Sequence, residues 1–160
     1  MKRLGLFLLA SMLMVPVCHA AVFVNTNGQG VPDGLSWSTG WRTLQQGVDH
    51  AFSEGGGEVW VAAGTYTGTG SQVLVMREGV HLYGGFSGTE ETRSQRNLDA
   101  NVTTIDGQNA RRGVLGANTS TLDGFTITRG FVQGVNGTRV LGGGMLMDGT
   151  APLVENCRFE

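Results

Sequence analysis

Two stretches decide the fold: Thr121-Leu122-Asp123-Gly124-Phe125-Thr126-Ile127 and Leu153-Val154-Glu155-Asn156-Cys157-Arg158-Phe159. Laid over one another, they share apolar residues at the second, fifth and seventh positions and an acid at the third. The fourth position is Gly in one copy and Asn in the other, the two residues that most readily adopt a left-handed backbone. A corner followed by an in-out-in strand accounts for the whole match. Fainter echoes occur at Thr104-Ile105-Asp106-Gly107, and at Leu82-Tyr83-Gly84-Gly85-Phe86 with one residue more. The implied structural corners, Gly85, Gly107, Gly124 and Asn156, lie 22, 17 and 32 positions apart.

Uneven intervals between fixed corners predict an all-β chain wound as a right-handed parallel β-helix. Its coils would stack about 4.8 Å apart, with insertions taken up in the turns. Asp-Gly is also a hairpin dipeptide, and a sandwich or barrel is the competing architecture. The apolar flanks are short for a hairpin, however, and the repeat follows the corner. Further strand-like runs are Glu58–Ala62, Val73–Met76, Val80–Tyr83, Val102–Ile105, Arg112–Leu115 and Gly144–Met147.

One segment reads as helix. In Thr43–Ser53, Leu44, Val48, Ala51 and Phe52 fall on one face, Thr43 and Gln46 fit a capping box, and Gly55-Gly56-Gly57 ends the run. Trp41 stands where it can pack over the same face. An amphipathic cover of this kind hides the bare first coil of a solenoid. The chain stops inside an apparent strand, Arg158-Phe159-Glu160, so the coils are expected to be incomplete at that end.

Residues 1–20 read as a secretory signal peptide. Lys2 and Arg3 precede an apolar run from Leu4 to Val17, and Cys18-His19-Ala20 offers a cleavage site after Ala20. The run is too short for a permanent span, and no transmembrane segment is expected in the mature chain. Residues 21–57 then form an N-terminal strand and capping-helix region, and residues 58–160 the coils. What remains after cleavage has nine Arg, thirteen acids and no Lys, a net charge of about −4. Lysine-based chemistry is thereby excluded, and no basic run marks a nucleic-acid partner. Cys157 alone remains, so no internal disulfide forms. Glycine is abundant, 27 of 160 residues, and dispersed as many tight corners require.

Val22-Phe23-Val24-Asn25, Gly34-Leu35-Ser36-Trp37, Val59-Trp60-Val61-Ala62-Ala63-Gly64-Thr65-Tyr66 and Tyr83-Gly84-Gly85-Phe86-Ser87-Gly88-Thr89-Glu90 resemble one known group. It is the N-terminal portion of exported bacterial β-helix proteins of the pectate-lyase-like superfamily. Gly143-Gly144-Met145-Leu146 and Asn156-Cys157-Arg158-Phe159 are similar, in part, to the repeats of polymorphic outer-membrane proteins. The resemblance implies a β-helix that is secreted or held at the cell surface or outer membrane of a bacterium. It leaves the activity open, because the superfamily holds lyases, hydrolases, adhesins and passenger domains.

The chemistry is sparse. Gly-Asp-Asp and Arg-Ile-Lys, which polygalacturonases of the superfamily carry, are missing. Asp33, Asp106, Asp123 and Asp148 each precede Gly, the ordinary residue choice for a corner. Arg129 reads as a solvated charge at a strand end. His50 and His81 lack a second ligand at metal spacing, so no metal site is expected. Calcium between carboxylates stacked on neighbouring coils is chemically open but has no support beyond that, and no cofactor is called for. Cys157 aligns with Phe125 and reads as a small packed group. Gly142-Gly143-Gly144 lacks the Lys and helix of a phosphate loop and reads as the entry to a strand.

Candidate carbohydrate-binding residues are Trp60, Tyr66 and Tyr83. Alternation in Val59-Trp60-Val61 turns Trp60 outward, either as a platform for a sugar ring or packed under the Thr67–Gln72 loop. The segment Gly130–Leu141 is expected to run outward as a displayed loop. Sequons begin at Asn101, Asn118 and Asn136, but the bacterial look of the signal argues against glycosylation. The sequence thus favours an exported β-helix module, structural or adhesive or engaging carbohydrate, with a polysaccharide or another cell-surface ligand as partner. No catalytic centre is evident within it. The alternative is the front of a polysaccharide lyase or glycoside hydrolase whose groove lies past residue 160.

Overall fold

The computed structural model describes residues 20–134 and 142–160. The signal segment up to residue 19, and residues 135–141 of the expected outward loop, lie outside the described residues. The strands are β1 (Val22–Val24), β2 (Gly57–Ala62), β3 (Gly64–Tyr66), β4 (Gln72–Val75), β5 (Val80–Phe86) and β6 (Thr103–Asp106). They continue as β7 (Arg112–Leu115), β8 (Thr121–Asp123), β9 (Thr126–Thr128), β10 (Met145–Leu146), β11 (Leu153–Glu155) and β12 (Arg158–Phe159). One helix, α1 (Leu44–Ser53), separates β1 from β2.

The strands build three parallel sheets. The first ladder is ordered β1-β2-β5-β8-β11, the second β3-β6-β9-β12 and the third β4-β7-β10. From β2 onward the chain visits first, second and third ladder in strict rotation. Every pairing among the described strands is parallel. Asp123-Gly124 links β8 in the first ladder to β9 in the second, so it turns the chain between sheets and does not reverse it.

Rotation brings residues of like chemistry into columns. Val59, Leu82, Leu122 and Val154 are successive partners in the first ladder. Tyr66, Ile105, Ile127 and Phe159 align in the second, and Leu74, Val114 and Met145 in the third. These columns meet in one apolar core, outside which Val154 and Phe159 of the last two strands fall. Each fully buried aliphatic side chain there is worth about 1.5–3 kcal/mol. The alignment of the two opening stretches is thus a physical register, Leu122 on Val154 and Ile127 on Phe159. Cys157 packs against the core beside them, half-buried.

One expected corner falls elsewhere. Gly85 and Gly124 have φ of +92° and +83° and Asn156 +50°, as a shared left-handed corner requires. Gly107 does not belong to that column: Ile105 pairs with Ile127, which puts Gly107 at the turn from the second ladder to the third. Left-handed backbone there falls on Gln108 and Asn109. The short apolar–Asp–Gly pattern is common to both corners, so local sequence alone does not separate them.

Helix α1 closes the N-terminal end. Thr43 is its N-cap, with Thr43 Oγ1 accepting from the Gln46 amide and Gln46 Oε1 accepting from the Thr43 amide. Leu44, Val48 and Ala51 are buried, and Gly47 sits so close to β1 that a Cβ would fall 2.4 Å from Val24. Phe52, expected on the same face, is 49 % exposed. At about 100° per residue it falls roughly 80° round the helix from Leu44, outside the buried stripe. Trp41 packs against the core as expected. Strand β4 is the outermost strand of its ladder, and the Gln45 amide closes it. Gln45 Oε1 accepts from the Val75 amide (2.8 Å) and Gln45 Nε2 donates to the Val75 carbonyl (3.2 Å), pairing as a neighbouring strand would. None of the described helices is long and apolar enough to cross a membrane.

Candidate functional site

The outward face of the first ladder gathers most of the polar chemistry. Alternation gives it two rows: Glu58, His81, Thr121 and Leu153, then Trp60, Tyr83, Asp123 and Glu155. Residues 87–102, between β5 and β6, fold back and bring two arginines over these rows. Their path is fixed at both ends. Gln95 Oε1 accepts from the Glu91 and Thr92 amides (both 2.8 Å), and the Asn97 amide donates to the Gly85 carbonyl (2.8 Å). Leu98 lies directly on the corner column. A Cβ at Gly85 or Gly124 would fall 2.4 or 2.6 Å from its Cδ2, which adds a packing reason for glycine to the conformational one.

Arg93 and Arg96 both lie over the Tyr83 ring, at 4.4 and 5.4 Å. Arg93 pairs with Glu58 (2.5 Å), which also accepts from Trp60 Nε1 (2.7 Å). Arg96 pairs with Asp123 (2.5 Å), which also accepts from Asn156 Nδ2 (2.8 Å). Burial pushes the Tyr83 hydroxyl above its ordinary pKa, with the two arginines opposing and Glu58 and Asp123 adding to the rise. His81 Nδ1 and Thr121 Oγ1 are 3.0 Å apart on adjacent strands. Asp123 and Glu155 are stacked carboxylates, the arrangement calcium would need, but Arg96 and Asn156 occupy the first of them. Among the described residues no three His, Cys, Asp or Glu side chains converge.

Trp60 points outward but is not an open platform. It is 8 % exposed, stacked on Phe86 (5.0 Å, 10° between planes) with Phe23 edge-on at 5.7 Å. Trp37 closes over Phe23 and Phe86 and donates from Nε1 to the Glu90 carbonyl (2.9 Å). The cover comes from residues 23, 37 and 86, and the Thr67–Gln72 loop plays no part in these ring contacts. Burial alone would raise the Glu90 carboxyl, yet backbone N–H groups of Ser87 and Thr89 outweigh it and hold it below its ordinary pKa. Tyr66 points the other way, into the core at 1 % exposure, with its hydroxyl donating to the Ala62 carbonyl (2.9 Å). Of the three aromatic candidates Tyr83 alone stays half-open, and the arginines cover its face. Alternation showed which way Trp60 points but gave Tyr66 and Tyr83 no direction, and nothing local showed that distant segments return to cover the face.

Arg129 is not simply solvated. From φ of +48° it makes a two-pronged pair with Asp106 on the neighbouring strand's end, through Nε (2.9 Å) and Nη2. Arg129 thus holds the Asp106 carboxyl below its ordinary pKa. Burial pushes the Cys157 thiol up, away from a reactive thiolate. His50 lies against the Trp41 ring, 5.5 Å between centroids. No sequence pattern marks Arg93 and Arg96, because neither sits in a strand or a repeat. Comparison with known proteins finds no matching family model, no similar curated protein and no matching solved structure.

Proposed function

We propose that this chain is a right-handed parallel β-helix module of the pectate-lyase-like kind, exported by its first 20 residues. Its role is structural and adhesive at a bacterial cell surface, with glycans among what it meets. The observation that carries the architecture is the rotation of eleven consecutive strands, β2 to β12, through three parallel ladders. A stack of this kind is rigid along its axis and tolerates insertions at its corners, which suits a spacer that displays loops. Support for a non-catalytic role comes from the outer face of the first ladder. Glu58 and Asp123 are each held by an arginine and a second donor, so that both oxygens of each carboxylate are already engaged by the protein.

Expression of the full chain in a Gram-negative host tests the export half. The protein is expected outside the cytoplasm with Ala21 as its first residue; uncleaved protein retained in the cytoplasm would refute it. A polysaccharide lyase is the second reading, favoured by the Tyr83–Arg96–Asp123 cluster on one sheet face. Sustained release of unsaturated products from a uronate polymer, abolished in Arg96→Ala, would replace the structural role by that one.

A further inference from the structure

A groove of about 500 Å³ runs between α1 and the β3–β4 loop, and none of the tyrosine–arginine cluster lines it. We propose that it binds a neutral saccharide, an inference that rests on the glycan-meeting part of the function above. Its size is that of a small-ligand site. Its floor is Val73 and Val75, one wall is the Thr67–Ser71 segment, and the other is Gln45 and Asp49 of the helix, with Arg77 at the end.

The polar groups there are built in place. Asp49 Oδ1 accepts from Gln45 Nε2 (3.1 Å) and Arg77 Nε (2.9 Å), and among the described residues Asp49 Oδ2 and the Arg77 Nη groups have no hydrogen-bond partner. Both side chains are nearly half exposed, at 46 and 43 %. Arg111 Nε, from the next turn of chain, donates to the Gly70 carbonyl (3.1 Å) and holds the loop against the groove. Among the described residues the hydroxyls of Thr67 and Thr69 have no protein partner. The Phe52 ring, 5.6 Å from the Arg77 guanidinium, extends the rim with an exposed apolar face.

This inventory selects a ligand. Among the residues that line it one carboxylate and one guanidinium cancel, so the lining itself has no net charge to attract a phosphate or a uronate. A single carboxylate is too few for a divalent cation. Neighbouring sugar hydroxyls match it well: one donates to Asp49 Oδ2, the next accepts from an Arg77 Nη, and Thr67, Thr69 and the Gln72 amide take further hydroxyls. The ring's C–H face meets Val75. Hydrogen bonds to charged groups are the stronger ones, so Asp49 carries the largest share.

Titration of the chain, followed by calorimetry and amide NMR shifts, tests this with cellotetraose, xylotetraose and mannotetraose against trigalacturonate and an extended Ser/Ala octapeptide. At least one neutral tetrasaccharide is expected to bind about tenfold tighter than trigalacturonate, with shifts at residues 67–72. Asp49→Asn should weaken that binding about tenfold, and Thr69→Val, on an exposed loop, should weaken it less without altering the urea midpoint. Arg158→Ala, on the last strand and outside the lining, should leave it unchanged. If Asp49→Asn unfolds, Thr69→Val decides alone. Binding of no neutral saccharide, binding of the peptide in preference, or binding indifferent to both variants would each overturn the proposal. Export and Ala21 processing are read separately, so failure here is distinguishable from failure of the module reading.

Discussion

Two corners of this molecule look alike in sequence and are built differently. Each ends a strand on Asp followed by Gly, and each seats an arginine on the Asp. At the turn from first to second ladder, Asp123 is met by Arg96, which arrives from residues 87–102, outside the stack. At the turn from second to third, Asp106 is met by Arg129, which stands at the equivalent corner one turn of chain later. The first arginine is 18 % exposed and the second 54 %, over aspartates that are both 5 % exposed. A partner supplied by an insertion buries the ion pair; a partner supplied by the repeat leaves it at the rim. Insertions therefore create the enclosed chemistry here, while the repeat supplies the frame.

The glycines separate the corners most sharply. A Cβ at Gly107 would fall 2.5 Å from the backbone oxygens of both Arg111 and Arg129, and neither can move without breaking a turn. At Gly124 the nearest atom is the flexible end of Leu98, although φ of +83° adds strain. Gly107→Ala is expected to cost about 3 kcal/mol and Gly124→Ala about 1–2 kcal/mol, read from urea unfolding. Equal losses would show that the two corners are mechanically the same.

Removing the acids comes next in size. Asp123→Ala leaves Arg96 enclosed without its carboxylate, and Arg96 Nη1 already lacks an acceptor. The expected loss is about 2–3 kcal/mol, with weaker protection of the residues 93–98 amides in hydrogen exchange. Asp106→Ala should cost less than half as much, because Arg129 can turn to water. A reversed order would mean that the rim pair, and not the inserted one, fastens the stack. Gln45→Ala tests the end instead. Val75 should lose its amide protection and stability should fall by about 1–2 kcal/mol, since both backbone groups lose a partner.

Much of this frame was legible in the residues. Leu122, Phe125 and Ile127 matched Val154, Cys157 and Phe159 because side chains in register must share size and direction, and Thr43 with Gln46 announced the helix start. Short elements were not legible: Gly64-Thr65-Tyr66 is a strand only because Thr103-Thr104-Ile105 lies beside it. Gly107 falls in another column than the repeat suggests because an Asp-Gly pair reports a corner and not which one. Trp60 was given its direction but not its cover, since Phe23, Trp37 and Phe86 converge from far along the chain. The arginines over Tyr83 were invisible for the same reason, as a contact made by an insertion leaves no period to read.

The smallest expected effect tests the rim pair by acid. Arg129 holds the folded Asp106 carboxyl below the ordinary aspartate value of 3.8, while the unfolded chain keeps that value. A depressed folded pKa means that the pair's contribution is complete above the unfolded value and fades as pH falls through the folded one. Urea midpoints measured from pH 6 down to 2 should thus decline below about pH 4. In Asp106→Asn that part of the decline disappears, and the two curves converge at the acid end. Salt should weaken the difference, because Arg129 is half in water and its attraction is screened. Parallel curves for the two proteins down to pH 2 would mean that Asp106 is no more acidic folded than unfolded. The Asp106–Arg129 contact would then be geometry without energy, and the contrast between the two corners would rest on the enclosed Asp123–Arg96 pair alone.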